Sequence, residues 1–306
     1  MGRYRIKDFE ALSGIKAHTI RIWERRYGIL NPSRSHTNIR EYNNDDLRFL
    51  LNISLLNRNG FKISMLAKMK REDIDDRVRT ITASNHKYSN QVNALTLCMV
   101  DWNETEFERI MNMNIAHIGF EQTMEQVIFP FLRNIGIMWQ TGSVNPSEEH
   151  FVSNLIRHKL IVAIESIKIR RSNYITKSLL YLPEDEMHEV ALLYLWYLLR
   201  KKHHRVLYLG QNVPFRDLQV AAKSFKPHQV FSIFTSYPHL QTINAYLGRL
   251  SAMMPEGHIY LSGFLMWKNK LKIPSNIYVV KEICDFRSLI NDKIGIKTSE
   301  REKKNV

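Results

Sequence analysis

From residue 173 onward the chain changes rhythm, and that change limits its fold more than any other feature. Five short β-like runs follow one another at 178–182, 206–209, 230–234, 259–261 and 277–280. Helical stretches at 187–202, 215–224 and 241–254 fill the gaps between the first four. Strand and helix in alternation predict a parallel sheet with helices on both faces, a Rossmann-like layering. Open sheets of this kind bind ligands at the carboxyl ends of the strands, where the strand order reverses. Four loops would line that edge, at 183–188, 210–214, 235–238 and 262–266. No GxGxxG follows the first strand and no P-loop lysine motif occurs, so the common phosphate-cradling signatures are missing.

Upstream the pattern is helical. Residues 75–171 are almost free of proline, and four helices in a bundle account for them economically. Asn145-Pro146-Ser147-Glu148 is a helix start, with a capping Asn, Pro at the first helical position and Glu at the third. It makes 141–144 a break between two helices. Nearer the N-terminus, a short amphipathic run at 6–12 is broken by Ser13-Gly14. A basic helix at 16–27 follows, with Ile20 and Trp23 facing inward. Gly28 stands where a helix ends and Pro32 stops continuation. Helix, tight turn and basic helix outline a helix-turn-helix, and the basic stretch at 31–42 forms a hairpin suited to a wing. Asn44-Asp45-Asp46 would cap the next helix.

The chain is therefore read as multidomain, α and α/β. A winged helix-turn-helix DNA-binding domain occupies 1–75, a four-helix bundle 76–172, a Rossmann-like parallel-sheet domain 173–290, and a charged, unstructured tail 291–306. Lys and Arg total 44 against 30 Asp and Glu, a net charge of +14 that favours a polyanionic partner. Cys98 and Cys284 are too few for a disulfide framework or a cysteine-rich zinc site, which points to a reducing compartment. The charged N-terminus does not read as a secretory signal. The longest apolar run, 190–199, is half of what a membrane span needs. The expectation is a soluble cytoplasmic protein.

The segment from Lys16 through Trp23-Glu24-Arg25-Arg26-Tyr27 to Arg40-Glu41-Tyr42 resembles the MerR family of transcription regulators over about 70 residues. The resemblance implies a winged helix-turn-helix that binds operator DNA as a dimer, often distorting it. It assigns base or phosphate contacts to Lys16, His18, Thr19, Arg21, Arg25, Arg26 and Tyr27, and wing contacts to Arg34, His36, Arg40 and Tyr42. Arg and Lys on an exposed helix suit both phosphates and guanine edges.

Glu186-Met187-His188, just after the first strand, with Leu207-Tyr208-Leu209-Gly210 beyond it, looks like the cobalamin-binding domain in its DxHxxG form. That likeness makes His188 the lower axial ligand of cobalt, oriented by Glu186. Val190, Leu209, Ser236 and Gly263 would complete the contacts. A carboxylate behind a ligating imidazole fixes its tautomer and raises its basicity. In the helical segment Trp139, nine residues, then Glu149-His150 is similar to the bundle that covers cobalamin's upper face in light-sensing MerR-type regulators of the CarH type. In that family adenosylcobalamin holds a DNA-binding tetramer in the dark, and light releases the operator.

This sequence departs from the pattern in several places. Ala191 and Ser262 replace glycines, and bulky Phe264, Leu265, Met266 and Trp267 follow Gly263. A family serine motif survives only as Thr235-Ser236. Gln140 stands where the photoreceptors have a His that ligates cobalt after photolysis, and an amide is a poor cobalt ligand beside imidazole. One reading is a DNA-binding regulator, a repressor, controlled by cobalamin bound between bundle and Rossmann-like domain, its light response either carried by another group such as His150 or lost. The other is a cobalamin-independent MerR-type regulator whose C-terminal domain mediates oligomerisation or partner binding. Enzymatic activity is not expected. There is no Ser-His-Asp order, metal-spaced His cluster or paired-carboxylate arrangement, and a corrinoid methyltransferase would need a further substrate domain.

Overall fold

The computed structural model describes residues 4–84, 88–140, 144–168, 176–235, 242–268, 271–283 and 285–290. The expected loop at 141–144 falls mostly outside these, as do Ser236, Cys284 and the charged tail. The chain divides into two compact units, Met1–Leu155 and Ile156–Val306.

The first unit opens with α1 (Ile6–Ser13) and α2 (Ala17–Tyr27), joined through Gly14 in the left-handed conformation. A two-stranded antiparallel hairpin follows, β1 (Ser33–Arg34) and β2 (Arg40–Glu41), with Asn38 at positive φ near its tip. α3 (Asn44–Arg58) begins one residue earlier than the sequence suggested. Asn43 is its cap, accepting from Asp46 N–H at 2.9 Å while Asp46 accepts from Asn43 N–H at 3.0 Å. Then come α4 (Ile63–Leu66), α5 (Arg71–Ser84), α6 (Tyr88–Val100) and α7 (Glu104–Ile118). A continuous run follows of α8 (Phe120–Thr123), a π-helical turn (Met124–Ile128) and α9 (Phe129–Gln140).

The winged head and the bundle were expected as separate domains but share this unit. Arg48 of α3 pairs with Asp101, and Asn52 donates to Asp75 at 2.7 Å. α1 packs against α9, and α3 against α6. Apolar residues set the faces: Leu47, Leu50 and Leu51 of α3, and Phe107 against Phe131 at 5.8 Å, are buried.

α10 (Pro146–Ser166) starts as the sequence predicts. Asn145 Oδ1 accepts from Ser147 N–H at 2.7 Å, and Glu148 accepts from Asn145 N–H at 3.0 Å. The boundary between the units falls inside this helix, at 155/156.

The second unit holds a five-stranded parallel sheet in the order β4-β3-β5-β6-β7. Its strands are β3 (Thr176–Pro183), β4 (His204–Val213), β5 (Gln229–Ile233), β6 (His258–Ser262) and β7 (Ile277–Val279). The helices are α11 (Val190–Lys201), α12 (Phe215–Phe225), α13 (Ile243–Met253), α14 (Leu265–Lys268) and α15 (Asp285–Leu289). The order reverses between β4 and β5, both of which flank β3, so the switch point lies at the carboxyl end of β3. The segment at 210–214 is not the loop the sequence suggested. β4 carries on to Val213 beside β3, through register shifts after Leu180 and Tyr181.

Candidate functional site

Two sites emerge, one in each unit. On α2, Ile20 and Trp23 are buried, and His18, Arg21, Ile22, Arg25 and Arg26 are exposed. Those five positions recur at helical spacing on one face. Thr19 and Tyr27 are half-buried beside it. Lys16 caps the helix from outside, its Nζ 3.1 Å from Glu10 Oε1, while the other Glu10 oxygen accepts from Ala17 N–H at 3.2 Å. Lys16 is also the main reason the Glu10 carboxyl titrates below its usual range.

Arg34 and His36 are exposed on the hairpin, Arg34 donating to Asn38 Oδ1 at 2.6 Å. Arg40 and Tyr42 differ from the expected wing contacts. Arg40 Nε lies 3.0 Å from Glu24 Oε2, and the Tyr42 hydroxyl donates to Glu24 Oε1 at 2.5 Å. Tyr42 is buried, its ring tilted against that of Phe9 with centroids 4.2 Å apart. Burial first, and then the bond to Glu24, push its phenol pKa well up. Backbone bonds in both directions join Tyr42 to Tyr4. Arg40 and Tyr42 therefore hold the wing to α2, and Tyr42 has no surface to offer DNA. Glu24, which sequence reasoning passed over, is the hub of that attachment. Ile22 was missed too, because an apolar residue in a helix reads as core.

In the second unit Glu186 is fully buried at the carboxyl end of β3. Its Oε1 accepts from His188 Nδ1 at 2.6 Å and from His188 N–H at 3.2 Å. Its Oε2 accepts from Thr235 N–H, at the end of β5, at 2.7 Å. The carboxylate thus spans the switch point and places the imidazole proton on Nδ1, leaving the lone pair on Nε2. The His188 side chain is half exposed. The loop carrying it is tied to β4: Asn212 accepts from Asp185 N–H at 2.9 Å, Asn212 N–H donates to Glu186 O at 3.3 Å, and Gln211 donates to Met187 O. α11 begins only at Val190, so Met187 and His188 stand on this loop, not in a helix. Val190 is half-buried, and Leu209 is partly buried against the core cluster that includes Val213 and Phe215. Gly263 lies beyond β6 with φ at 106°.

In the first unit Trp139 occupies the last turn of α9, while Glu149 and His150 lie in the first turn of α10. His150 Nδ1 is 2.9 Å from Glu149 Oε2, the imidazole largely exposed and the carboxylate half-buried.

Comparison with known families matches residues 4–73 to the MerR HTH family regulatory protein model and residues 91–163 to the B12 binding domain model. One stretch of the chain thus matches a MerR regulatory-protein model and a second, separate stretch a B12-binding model. The chain is similar to the HTH-type transcriptional repressor CarH of Myxococcus xanthus, 27% identical over 261 residues that cover 83% of this chain and 86% of the relative. It is also similar to the repressor CarA of the same organism, 27% identical over 229 residues, 74% of each chain. Among solved structures, the Methanosarcina barkeri monomethylamine corrinoid protein superposes with a TM-score of 0.51 at 10% identity. The match covers 64% of this chain and 94% of that one, a likeness of fold.

The chain's own residues fit the metal end of a corrinoid: a half-exposed imidazole braced at Nδ1 by a buried carboxylate. Beside it stands a buried acid the sequence reading overlooked. Glu189 accepts from Tyr208 O–H at 2.9 Å and pairs with Arg157 of α10. The carboxylate and, above all, burial push the Tyr208 phenol up. The acid, the phenol and the guanidinium are far apart in sequence, so no motif announced them.

Proposed function

We propose that this chain is a cobalamin-controlled transcriptional repressor. It binds operator DNA through α2 and the β1–β2 wing and holds the corrinoid by His188. The observation that carries the reading is the Glu186–His188 pair: an imidazole fixed at 2.6 Å by a fully buried carboxylate, at the sheet edge where such folds bind ligands. Its presence in one chain with a helix-turn-helix supports sensing over catalysis, as do relatives named as repressors. A bound corrinoid would supply a cobalt whose upper ligand can be exchanged or lost. Glu186 holds the ligating tautomer, the loop bonds from Asp185, Gln211 and Asn212 keep it in place, and Arg21, Arg25 and Arg26 meet the phosphates or base edges.

In this reading adenosylcobalamin is the physiological form, and Trp139, Glu149 and His150 belong to the stretch matched to the B12-binding model. The protein acts in the cytoplasm as a self-associated dimer or tetramer. Among the described residues no helix is long and apolar enough to cross a membrane.

The test is a visible spectrum of the full-length protein incubated with adenosylcobalamin in the dark and desalted, then titrated with DNA selected by the protein from a random pool. Retained corrinoid with an imidazole-ligated spectrum, and DNA affinity that changes on loading, are expected. A colourless protein with unaltered DNA binding would instead identify the second unit as an interaction module, the reading favoured by the crowded Leu265 and Met266 side chains.

A further inference from the structure

Cobalamin is a corrin with a nucleotide loop hanging from its lower face, the face an axial imidazole approaches. Where a protein imidazole takes the cobalt, that loop goes either into the fold or along its surface. The sheet edge beside His188 decides which. β3 and β5 are bridged there by Glu186, through its bond from Thr235 N–H at 2.7 Å. β5 and β6 are closed beyond their last residues: Phe234 N–H donates to Ser262 O at 2.8 Å, and Leu265 N–H to Phe234 O at 3.2 Å. Gly263 lies so near that a Cβ on it would come within 2.3 Å of the Phe234 carbonyl oxygen. Its glycine thus serves the chain's own backbone.

Beneath this edge the space is occupied. Phe234 packs edge-on to Tyr246 at 5.8 Å, Tyr246 edge-on to Phe215 at 5.3 Å, and the Tyr246 hydroxyl donates to the Tyr181 hydroxyl at 3.0 Å. These four rings are buried with Leu265 and Met266 in one core. Admitting a phosphoribosyl benzimidazole would break a buried hydrogen bond and displace several such side chains, each worth about 1.5–3 kcal/mol of burial.

We infer that this chain holds a corrinoid by its cobalt and ring alone, with the nucleotide loop left in solvent. Its ligand class is corrinoids whatever their lower base, including those with none. The inference rests on the reading that His188 ligates cobalt.

Full-length protein titrated in parallel with diaquocobinamide, which lacks the nucleotide, and with hydroxocobalamin separates the cases. Cobinamide has no base to displace. It is expected to bind at least as tightly as hydroxocobalamin, with the same imidazole-ligated spectrum, and His188→Ala is expected to lose that spectrum with both. Cobinamide binding about tenfold or more weaker than hydroxocobalamin overturns the inference and leaves the cobalamin reading standing. No imidazole-ligated spectrum with either corrinoid overturns both.

Discussion

Glu24 shows how one residue's role can be separated from its charge. Its carboxylate holds Arg40 and Tyr42, and so the wing, against α2. Glu24→Gln removes a negative charge next to a polyanion's binding face, so electrostatics alone would tighten DNA binding. The attachment predicts the opposite, a loss of about tenfold, since two charge-assisted bonds weaken together. Anisotropy titrations across a salt series would read it, and tighter binding would refute the positioning role. Arg25→Ala is the contrasting case. An exposed cation on the α2 face should weaken binding and make the salt slope shallower by about one unit. At the corrinoid site, Glu186→Gln keeps the side chain's size and loses the negative acceptor for His188 Nδ1. Corrinoid affinity should fall by about 10- to 100-fold, measured by spectral titration. Undiminished affinity would mean the carboxylate only staples Thr235.

At the level of elements, the turn at Gly263 is the sharpest test of the sheet edge. Its φ of 106° is strained for any L side chain, and a Cβ would meet the Phe234 carbonyl at 2.3 Å. Gly263→Ala should destabilise the second unit by about 2–4 kcal/mol. Urea unfolding followed by its near-ultraviolet aromatic signal would measure this, and a change under about 0.5 kcal/mol would show that the edge yields easily. The strands were legible in the sequence because their apolar runs are bounded by turn residues. The parallel order followed from alternation with helices. The capping box at Asn145 and the helix-turn-helix were equally plain, since both are local patterns. What escaped was long-range. Tyr42 reads like a DNA contact until Glu24, 18 positions away, is found beneath it. The continuation of β4 to Val213 depends on β3 lying alongside. Nothing within α10 marks residue 155 as a boundary, because a helix carries the same local signals on both sides of a change in its packing partners.

For the molecule as a whole, stability is tied to pH through His204. The imidazole begins β4, is buried, and shares a 2.8 Å hydrogen bond with Ser178 of β3. Burial lowers its pKa from 6.5 to about 4. The folded chain therefore refuses a proton that the unfolded chain accepts. Above pH 6.5 both states carry neutral imidazole and the full stability is present. As pH falls from 6.5 toward 4 the unfolded state binds the proton first, and stability drops. At 1.36 kcal/mol per unit the loss reaches roughly 3 kcal/mol once the folded pKa is passed. His204→Gln keeps a hydrogen-bonding side chain for Ser178 and removes the titration. Its urea midpoint should depend less on pH than the parent's across this window, by an amount equivalent to those few kcal/mol. Parallel curves would mean that the folded protein admits the charge, by solvating His204 or by opening the β3–β4 edge. In that event acid should also expose backbone amides of β4 to hydrogen exchange before the rest of the sheet unfolds.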